Sequence, residues 1–444
     1  MEITLPFQFQ PRPYQIPALQ ALDNGYKRII TIWHRRSGKD KTWFNAMAKK
    51  SQERVGAYYY LFPTYAQGEK ILWLGIDRDG FKFTDHIPQI LRKRTDNGAM
   101  LIEMKNGSLI HIIGTDKVDS LVGTNPVGCV FSEFPLQNPN AWGFLRPILA
   151  ENGGWAVFNY TPRGKMNQGW DLFQMAKEDP KHWFSEVLTV ADTKVVSEEI
   201  LEQEKREIIS QYGDDSLFRQ EYYCSFEAAL LGSYYANQFK QAETEKRFTK
   251  IPIEPTIPVD TWWDLGVGDA MAIWFTQSVS KEVRVVDYYE ASGEGFPFYA
   301  KVLQEKGYVY GTHNAPHDIR VKEMGSGVTR LETAQKLGIK FQIVKNIDRD
   351  DGINAVRMFF SKCWFDMERC KQGLNALANY HKEYDEKRKE YKNTPYHDWS
   401  SHAADAFRYL AVGHRSSPVK SEQKRYESRL HQKGQGKGYS LKMV

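Results

Sequence analysis

Two sets of residues in this chain have the types and spacing that chemistry requires. Near the N-terminus, Trp33-His34-Arg35-Arg36-Ser37-Gly38-Lys39-Asp40-Lys41-Thr42 reads as a phosphate-binding loop. Towards the C-terminus, Asp264, Asp318 and Asp405 each stand where a metal-binding carboxylate would be placed. A nucleotide site joined to a metal-carboxylate site in one polypeptide restricts function more than either half alone.

A phosphate loop works because a tight turn aims backbone N–H groups at an anion from a helix N-terminus, while a lysine reaches the terminal phosphates. Gly38 permits close backbone approach and Lys39 supplies the charge. Arg35, Arg36, Ser37, Gly38, Lys39, Asp40, Lys41 and Thr42 are therefore candidates for nucleotide binding. Two departures stand out. Trp33 occupies the place of the usual first glycine, and Asp40 the place of a Ser or Thr that would bind Mg²⁺. A carboxylate can ligate Mg²⁺ directly or through water, and Thr42 is a second candidate. The competing reading is a basic surface turn.

Val127-Gly128-Cys129-Val130-Phe131-Ser132-Glu133 reads as an apolar strand ending in an acid. Glu133 is the choice for polarising a water that attacks the γ-phosphate. Ser132 stands where an Asp is usual. Upstream, Tyr14 is placed to stack on adenine and Gln15 to hydrogen-bond its edge. Downstream, Phe158-Asn159-Tyr160-Thr161-Pro162-Arg163-Gly164 runs from a strand into a polar turn, which suits Thr161 to sensing the γ-phosphate. Either segment can also be a plain turn.

Two-metal nucleases need clustered acids that hold cations about 3.5–4 Å apart. Asp264 ends a strand pattern and is followed by Leu265-Gly266; Asp269 lies within reach of the same site. Asp318 follows Asn314-Ala315-Pro316-His317, and Asp405 lies on a helical pattern packed by Ala403, Phe407 and Leu410. His397, Asp398 and His402 add ligand-capable groups, and Asp287 is a weaker candidate. The plain alternatives are turn or helix caps for Asp264, Asp269 and Asp318, and a pair with Arg408 for Asp405. The order of strand acid, second acid and helix acid is that of an RNase H-type nuclease.

The elements that must position these residues follow from pattern. Residues 24–32 end in an apolar strand and residues 42–51 read as helix, so the loop sits in the strand–loop–helix context it needs. Further strands are expected at 56–62, 108–114, 127–131 and 155–160, with helical patterns between several, which implies a mainly parallel sheet covered on both faces. Helix dominates 197–223. Pro252, Pro255 and Pro258 mark a hinge or domain entry. Strands are then expected at 259–264, 271–277 and 282–289.

Composition sets the outer limits. The 444 residues suffice for two or three domains, and 41% hydrophobic content supports packed cores. Four scattered cysteines form no CxxC pair, which favours neither structural zinc nor a disulfide framework. With no apolar run of membrane-spanning length and no signal-peptide pattern at Met1–Pro6, the expectation is a soluble protein of a reducing cytoplasm. Residues 416–444 hold seven Lys/Arg and two Glu, whereas the rest balances 53 basic against 53 acidic residues. That glycine-containing basic tail is expected to be disordered, serving either to hold a polyanion or to aid solubility.

The chain resembles a known family, the large terminase subunit of tailed bacteriophages. The matching segments are Arg-Pro-Tyr-Gln at 12–15, His-Arg-Arg-Ser-Gly-Lys-Asp at 34–40, Phe-Pro-Thr-Tyr at 62–65, Phe-Ser-Glu at 131–133 and Thr-Pro-Arg-Gly at 161–164. Phe218–Cys224, Asp264-Leu265-Gly266, Pro316-His317-Asp318 and His402–Tyr409 continue the match. Their order is similar across residues 11–412.

The resemblance implies an α/β chain divided into an ATPase domain at 1–228 with a mainly parallel sheet, a linker at 229–257, an RNase H-like nuclease domain at 258–415 with a mixed sheet, and the tail at 416–444. It implies ATP-driven translocation of double-stranded DNA into a procapsid and cutting of concatemers with Mg²⁺ or Mn²⁺. Lys39 would bind the β/γ-phosphates, Glu133 would activate water, and Thr161 would couple hydrolysis to movement. Arg35 or Arg36 would stabilise transition-state charge. Asp264, Asp318 and Asp405 would hold metals, with Asp269 in support. Implied partners are the portal protein, a small terminase subunit and further copies in a ring, with no membrane. The implied place is the host cytoplasm, with transient docking on the procapsid. In place of the family's Arg-Gly before the second ATPase strand stands Leu121-Val122-Gly123. A helicase-like or DNA-repair ATPase/nuclease and a non-enzymatic DNA-binding protein are the alternatives. The first is disfavoured by metal-site acids where further helicase motifs would stand. Retention of Lys39, Glu133 and the three aspartates speaks against the second.

Overall fold

The computed structural model describes residues 4–212, 214–227, 232–266, 270–321, 328–385 and 390–414. Asp269 and the tail at 416–444 lie outside the described residues. Close packing divides the chain into two units. The first holds the described residues of Met1–Ala236 together with Ala378–Trp399; the second holds Asn237–Leu377 and the described residues from Ser400 on.

The first unit is built on eight strands: β1 (Arg28–Trp33), β2 (Ala57–Phe62), β3 (Arg92–Asp96), β4 (Leu101–Met104), β5 (Leu109–Gly114), β6 (Pro126–Ser132), β7 (Trp155–Tyr160) and β8 (Trp183–Leu188). Their order is β3-β4-β5-β2-β6-β7-β1-β8. From β5 to β8 the pairing is parallel, while β3 and β4 add an antiparallel edge. Strands buried on both faces need near-continuous apolar sequence. Accordingly β6 and β7 are buried along their whole length.

Alternation sends successive side chains to opposite faces. Ile29, Trp33, Tyr58, Tyr60 and Trp155 join Trp43 and Phe44 of the helix Lys39–Glu53 in one core. Ile30, Ile32, Phe131 and Phe158 join Phe134 and Leu145 in the other. Trp33 is thus a core residue. Its ring stacks on Trp43 at 6.4 Å, and its indole N–H donates to Glu186 Oε1 at 2.9 Å.

In a sheet of this kind ligands bind beyond the carboxyl ends of the parallel strands. Here β1, β6 and β7 all end on that edge, and β7 stands between the other two.

The second unit carries β9 (Phe248–Thr249), β10 (Val259–Asp264), β11 (Ala270–Val279), β12 (Glu282–Ser292), β13 (Tyr310–Ala315), β14 (Phe341–Ile343) and β15 (Cys363–Asp366). The order β14-β13-β10-β11-β12-β15-β9 gives a mixed sheet. An antiparallel meander, β10-β11-β12, meets parallel β13 on one side and parallel β15 on the other. One face packs Trp263, Ile273 and Phe275 against Phe296 and Tyr299 of the helix Phe296–Lys306. The helix Ser401–Gly413 covers the other: Trp274 donates to Ala403 O at 2.9 Å and meets Phe407 edge-on at 5.3 Å.

Two stretches sort differently from the sequence reading of the boundaries. Residues 237–257, read as linker, carry most of the helix Ala236–Thr244 and the strand β9, which pairs with β15. Residues 378–399, inside the span read as nuclease domain, group with the first unit. Backbone pairing explains this: Tyr234 N donates to Tyr380 O at 3.0 Å, and Lys382 N to Gly232 O at 3.0 Å. Among the described residues, no helix is long and apolar enough to cross a membrane.

Phe158 tests the first core. It is fully buried and lies 5.0 Å from Phe131, 4.7 Å from Phe134 and 4.9 Å from Trp142, ring centre to ring centre. Phe158→Ala should cost about 3–5 kcal/mol. The first unit's melting temperature should fall by roughly 10 °C in thermal circular dichroism. A shift within about 2 °C would show that this ring is not packed as described.

Candidate functional site

In the first unit the loop from β1 closes on the helix Lys39–Glu53. Gly38 adopts the left-handed conformation at φ +82°, and a Cβ there would lie 3.2 Å from Gln15 Nε2. Conformation and space therefore both call for glycine. Tyr14 Oη and Gln15 Nε2 donate to Ser37 O at 2.8 and 3.0 Å. Both residues brace the back of the loop. Gln15 is buried and its Oε1 also accepts from Arg12 N, so its amide is already engaged.

The Lys39 ammonium lies 3.1 Å from Glu133 Oε1 and donates to Thr161 Oγ1 at 3.1 Å. Glu133 Oε2 meets Arg163 at 3.3 Å, Arg163 meets Glu221 at 2.6 Å, and Glu221 meets Arg35 at 3.5 Å. Charges alternate along this chain. Burial opposes the ionised form of both Lys39 and Glu133, but their mutual attraction outweighs it. Lys39 is raised, helped by Asp40, and Glu133 is lowered, helped by Arg163. Glu133 sits at φ +53°, a left-handed conformation unusual for a residue with a side chain and often found at functional sites.

Asp40 is half-buried. Its Oδ1 accepts from Ser132 Oγ at 2.7 Å, Tyr60 Oη at 2.9 Å and Asn159 Nδ2 at 3.2 Å. Thr42 Oγ1 is turned back onto Gly38 O at 3.0 Å and is buried. Lys41 pairs with Asp77 at 2.7 Å and Asp79 at 2.9 Å. Arg36 lies at φ +72° and is exposed. Ser37 is fully buried, with a hydroxyl that has no partner among the described residues.

Sequence reasoning assigned no role to Arg163 or Glu221, although both lie in segments it singled out. The available signal was an acid inside the aromatic run Phe218–Tyr223. A cavity of about 480 Å³ opens beside the loop, lined by Phe9, Gln10, Arg12, Gln15, Gly38 and Lys41 among others.

In the second unit Asp264 ends β10, with Oδ2 3.4 Å from His402 Nδ1. Asp405 pairs with Arg408 at 3.2 Å. Even so, burial first, then the negative charge of Asp264, push the Asp405 carboxyl up to about 6 against the pull of Arg408. Asp318 follows β13 in a short turn. It too is raised by burial and by Asp264, and its buried Oδ1 has no hydrogen-bond partner among the described residues.

Glu290 was missed by sequence reasoning. Asp264 pairs across with Ala272 and Ala272 with Glu290, which puts both acids at one level of the sheet. Glu290 is raised by burial and by Asp264, and it accepts from Tyr288 Oη. Asp287, the weaker candidate, is bonded instead to Lys306 and to Tyr308 Oη at 2.8 Å. His397 and Asp398 fall in the first unit.

Asp264 thus acts on three further acids, Asp318, Asp405 and Glu290, and a buried Asp318 oxygen has no hydrogen-bond donor among the described residues. That donor set fits a divalent cation. Among the described residues, no three His, Cys, Asp or Glu side chains close into a ready-made ligand cage.

No protein-family profile and no curated protein sequence matches the chain. Solved structures similar to it are large terminases of bacteriophages. The large terminase of a thermophilic bacteriophage in complex with ADP is 16% identical, with 90% of this chain and 98% of that one covered, at a TM-score of 0.42. The large terminase ATPase domain of Thermus phage P74-26 is 19% identical over 49% of this chain and 94% of that one, at 0.40. The large terminase nuclease of thermophilic phage G20c with bound cobalt is 12% identical over 41% of this chain and 96% of that one, at 0.30.

The Asp405 carboxyl sets a pH dependence. Its folded value of about 6 lies above the ordinary 3.8, so the folded state binds the proton more tightly. Stability is therefore lost as pH rises from about 4 through about 6. Without divalent cations, Asp405→Asn should raise the melting temperature at pH 8 and leave it unchanged near pH 4. Equal shifts at both pH values would contradict this assignment.

Proposed function

We propose that this chain is a large terminase subunit, an ATPase that drives double-stranded DNA into a procapsid and a metal-dependent endonuclease that cuts concatemers. The observation that carries the reading is the contact of Lys39 with Glu133 where β1, β6 and β7 end. A buried ammonium, a carboxylate on the neighbouring strand end and a glycine turn at a helix N-terminus are the parts that nucleotide hydrolysis needs.

The geometry supports the following roles. ATP phosphates enter the loop and take over Lys39 from Glu133. Thr161, which already accepts from Lys39, marks the place of the γ-phosphate. Arg163 holds the freed Glu133 carboxylate in position to take a proton from the attacking water. Glu221 in turn fixes Arg163, linking the strand end to the helix Ser216–Tyr223. The cavity beside the loop suits the base, with Phe9 and Arg12 on its walls. In the second unit Asp264, Asp318, Asp405 and Glu290 would hold divalent cations, and His402 sits beside Asp264. When bound, Mg²⁺ or Mn²⁺ would neutralise phosphate charge in both sites and make water a better nucleophile in the second. The portal protein, a small terminase subunit and further copies of the chain are the partners of this reading, met in the host cytoplasm.

Separate substitutions test the two activities. Lys39→Ala should abolish ATP hydrolysis while plasmid cleavage with Mg²⁺ or Mn²⁺ persists. Asp264→Ala should do the reverse. Persistent hydrolysis in the first variant would refute the nucleotide site, and persistent cutting in the second would move the metal site elsewhere.

A further inference from the structure

Asp40 and Ser132 depart together from the usual pattern. A phosphate loop ordinarily follows its lysine with a hydroxyl residue that binds Mg²⁺, and the strand acid lies opposite it. In this chain the carboxylate stands after Lys39, and the hydroxyl stands at the end of β6. The two side chains are hydrogen-bonded at 2.7 Å. Taken together they supply the same two groups, with the bearers exchanged.

Several observations favour a working exchange over two unrelated losses. All three donors to Asp40 reach Oδ1, and they come from β2, β6 and β7. That arrangement fixes the carboxylate and leaves Oδ2 for another partner. Asp40 lies in the first helical turn, where the macrodipole favours negative charge. It acts electrostatically on Lys39, and Glu133 acts on it, so all three groups belong to one site. The other hydroxyl of that turn, Thr42, is spent on Gly38 O, and Lys41 is spent on two aspartates. The fully buried Ser37 hydroxyl in the same loop, unpartnered among the described residues, shows that the site has polar capacity the protein itself does not use.

We propose that the nucleotide's Mg²⁺ site is inverted in this chain: Asp40 is the metal ligand on the loop helix, and Ser132 is the hydroxyl that orients it from the strand end. This rests on the ATPase reading above. The rival account is that Asp40 merely anchors the helix to the sheet. That account predicts a loss of stability on substitution and no change in the response to metal.

The test is equilibrium binding of fluorescent ADP to the full chain, with Mg²⁺ and with EDTA, alongside thermal denaturation. The wild type should bind more tightly with Mg²⁺. Asp40→Asn keeps an acceptor for all three donors but removes the charge; its affinity for ADP with Mg²⁺ should no longer exceed its affinity in EDTA. Ser132→Ala should weaken the apparent Mg²⁺ affinity by about 10- to 100-fold, as loss of an orienting partner does. The reciprocal double variant Asp40→Ser/Ser132→Asp should restore the Mg²⁺ response that is lost in Asp40→Asn and weakened in Ser132→Ala. A full Mg²⁺ gain in Asp40→Asn, or a double variant that folds and stays metal-insensitive, would overturn the inversion. Absence of ADP binding by the wild type would overturn the ATPase reading instead.

Discussion

A lysine ammonium held largely out of water must be neutralised, and most of the first unit's architecture serves that requirement at Lys39. Removing one partner of a buried pair costs about 3–5 kcal/mol, so the fold cannot leave the ammonium alone. Glu133 meets it without ligand; phosphate would replace Glu133 when nucleotide binds. The exchange is possible only because β1, β6 and β7 end together and Glu133 adopts a left-handed backbone that turns its side chain across the gap. Arg163 would then hold the displaced carboxylate, as it already pairs with Glu133 and is itself paired with Glu221.

The second unit has the opposite electrostatic problem. Burial and the negative charge of Asp264 raise the protonation of Asp318, Asp405 and Glu290. Asp405 has a cationic partner in Arg408, and that pair does not cancel the effect. Such a cluster costs stability unless a cation occupies it, which is usual for metal sites. The sheet that bears the cluster is closely packed, with Phe407 of the helix Ser401–Gly413 meeting Trp274 and Phe365 of the sheet.

Much of this was legible in the sequence, for stated reasons. Apolar runs flanked by turn residues announced β1, β2, β5, β6 and β7 to within a few residues, because strands buried on both faces leave little room for polar residues. The meander β10-β11-β12 was visible through its apolar strand runs. Lys39, Glu133 and Thr161 do meet. What stayed hidden depends on register and on returns of the chain. Glu290 joins Asp264 only through cross-strand pairing with Ala272, which no local pattern reports. Asp287, the weaker candidate, carries its bonds to Lys306 and Tyr308 instead. Trp33 reads as a missing glycine until its stacking on Trp43 shows that the core claimed it. The return of residues 378–399 to the first unit rests on backbone pairing across more than a hundred residues of sequence.

The most direct test of the central claim is to compare ATP affinity and hydrolysis in Glu133→Gln and wild type. If Glu133 both competes with phosphate for Lys39 and acts as base, the variant should bind ATP at least as tightly and hydrolyse it about 100- to 10,000-fold more slowly. Weaker binding together with an unchanged rate would contradict the account.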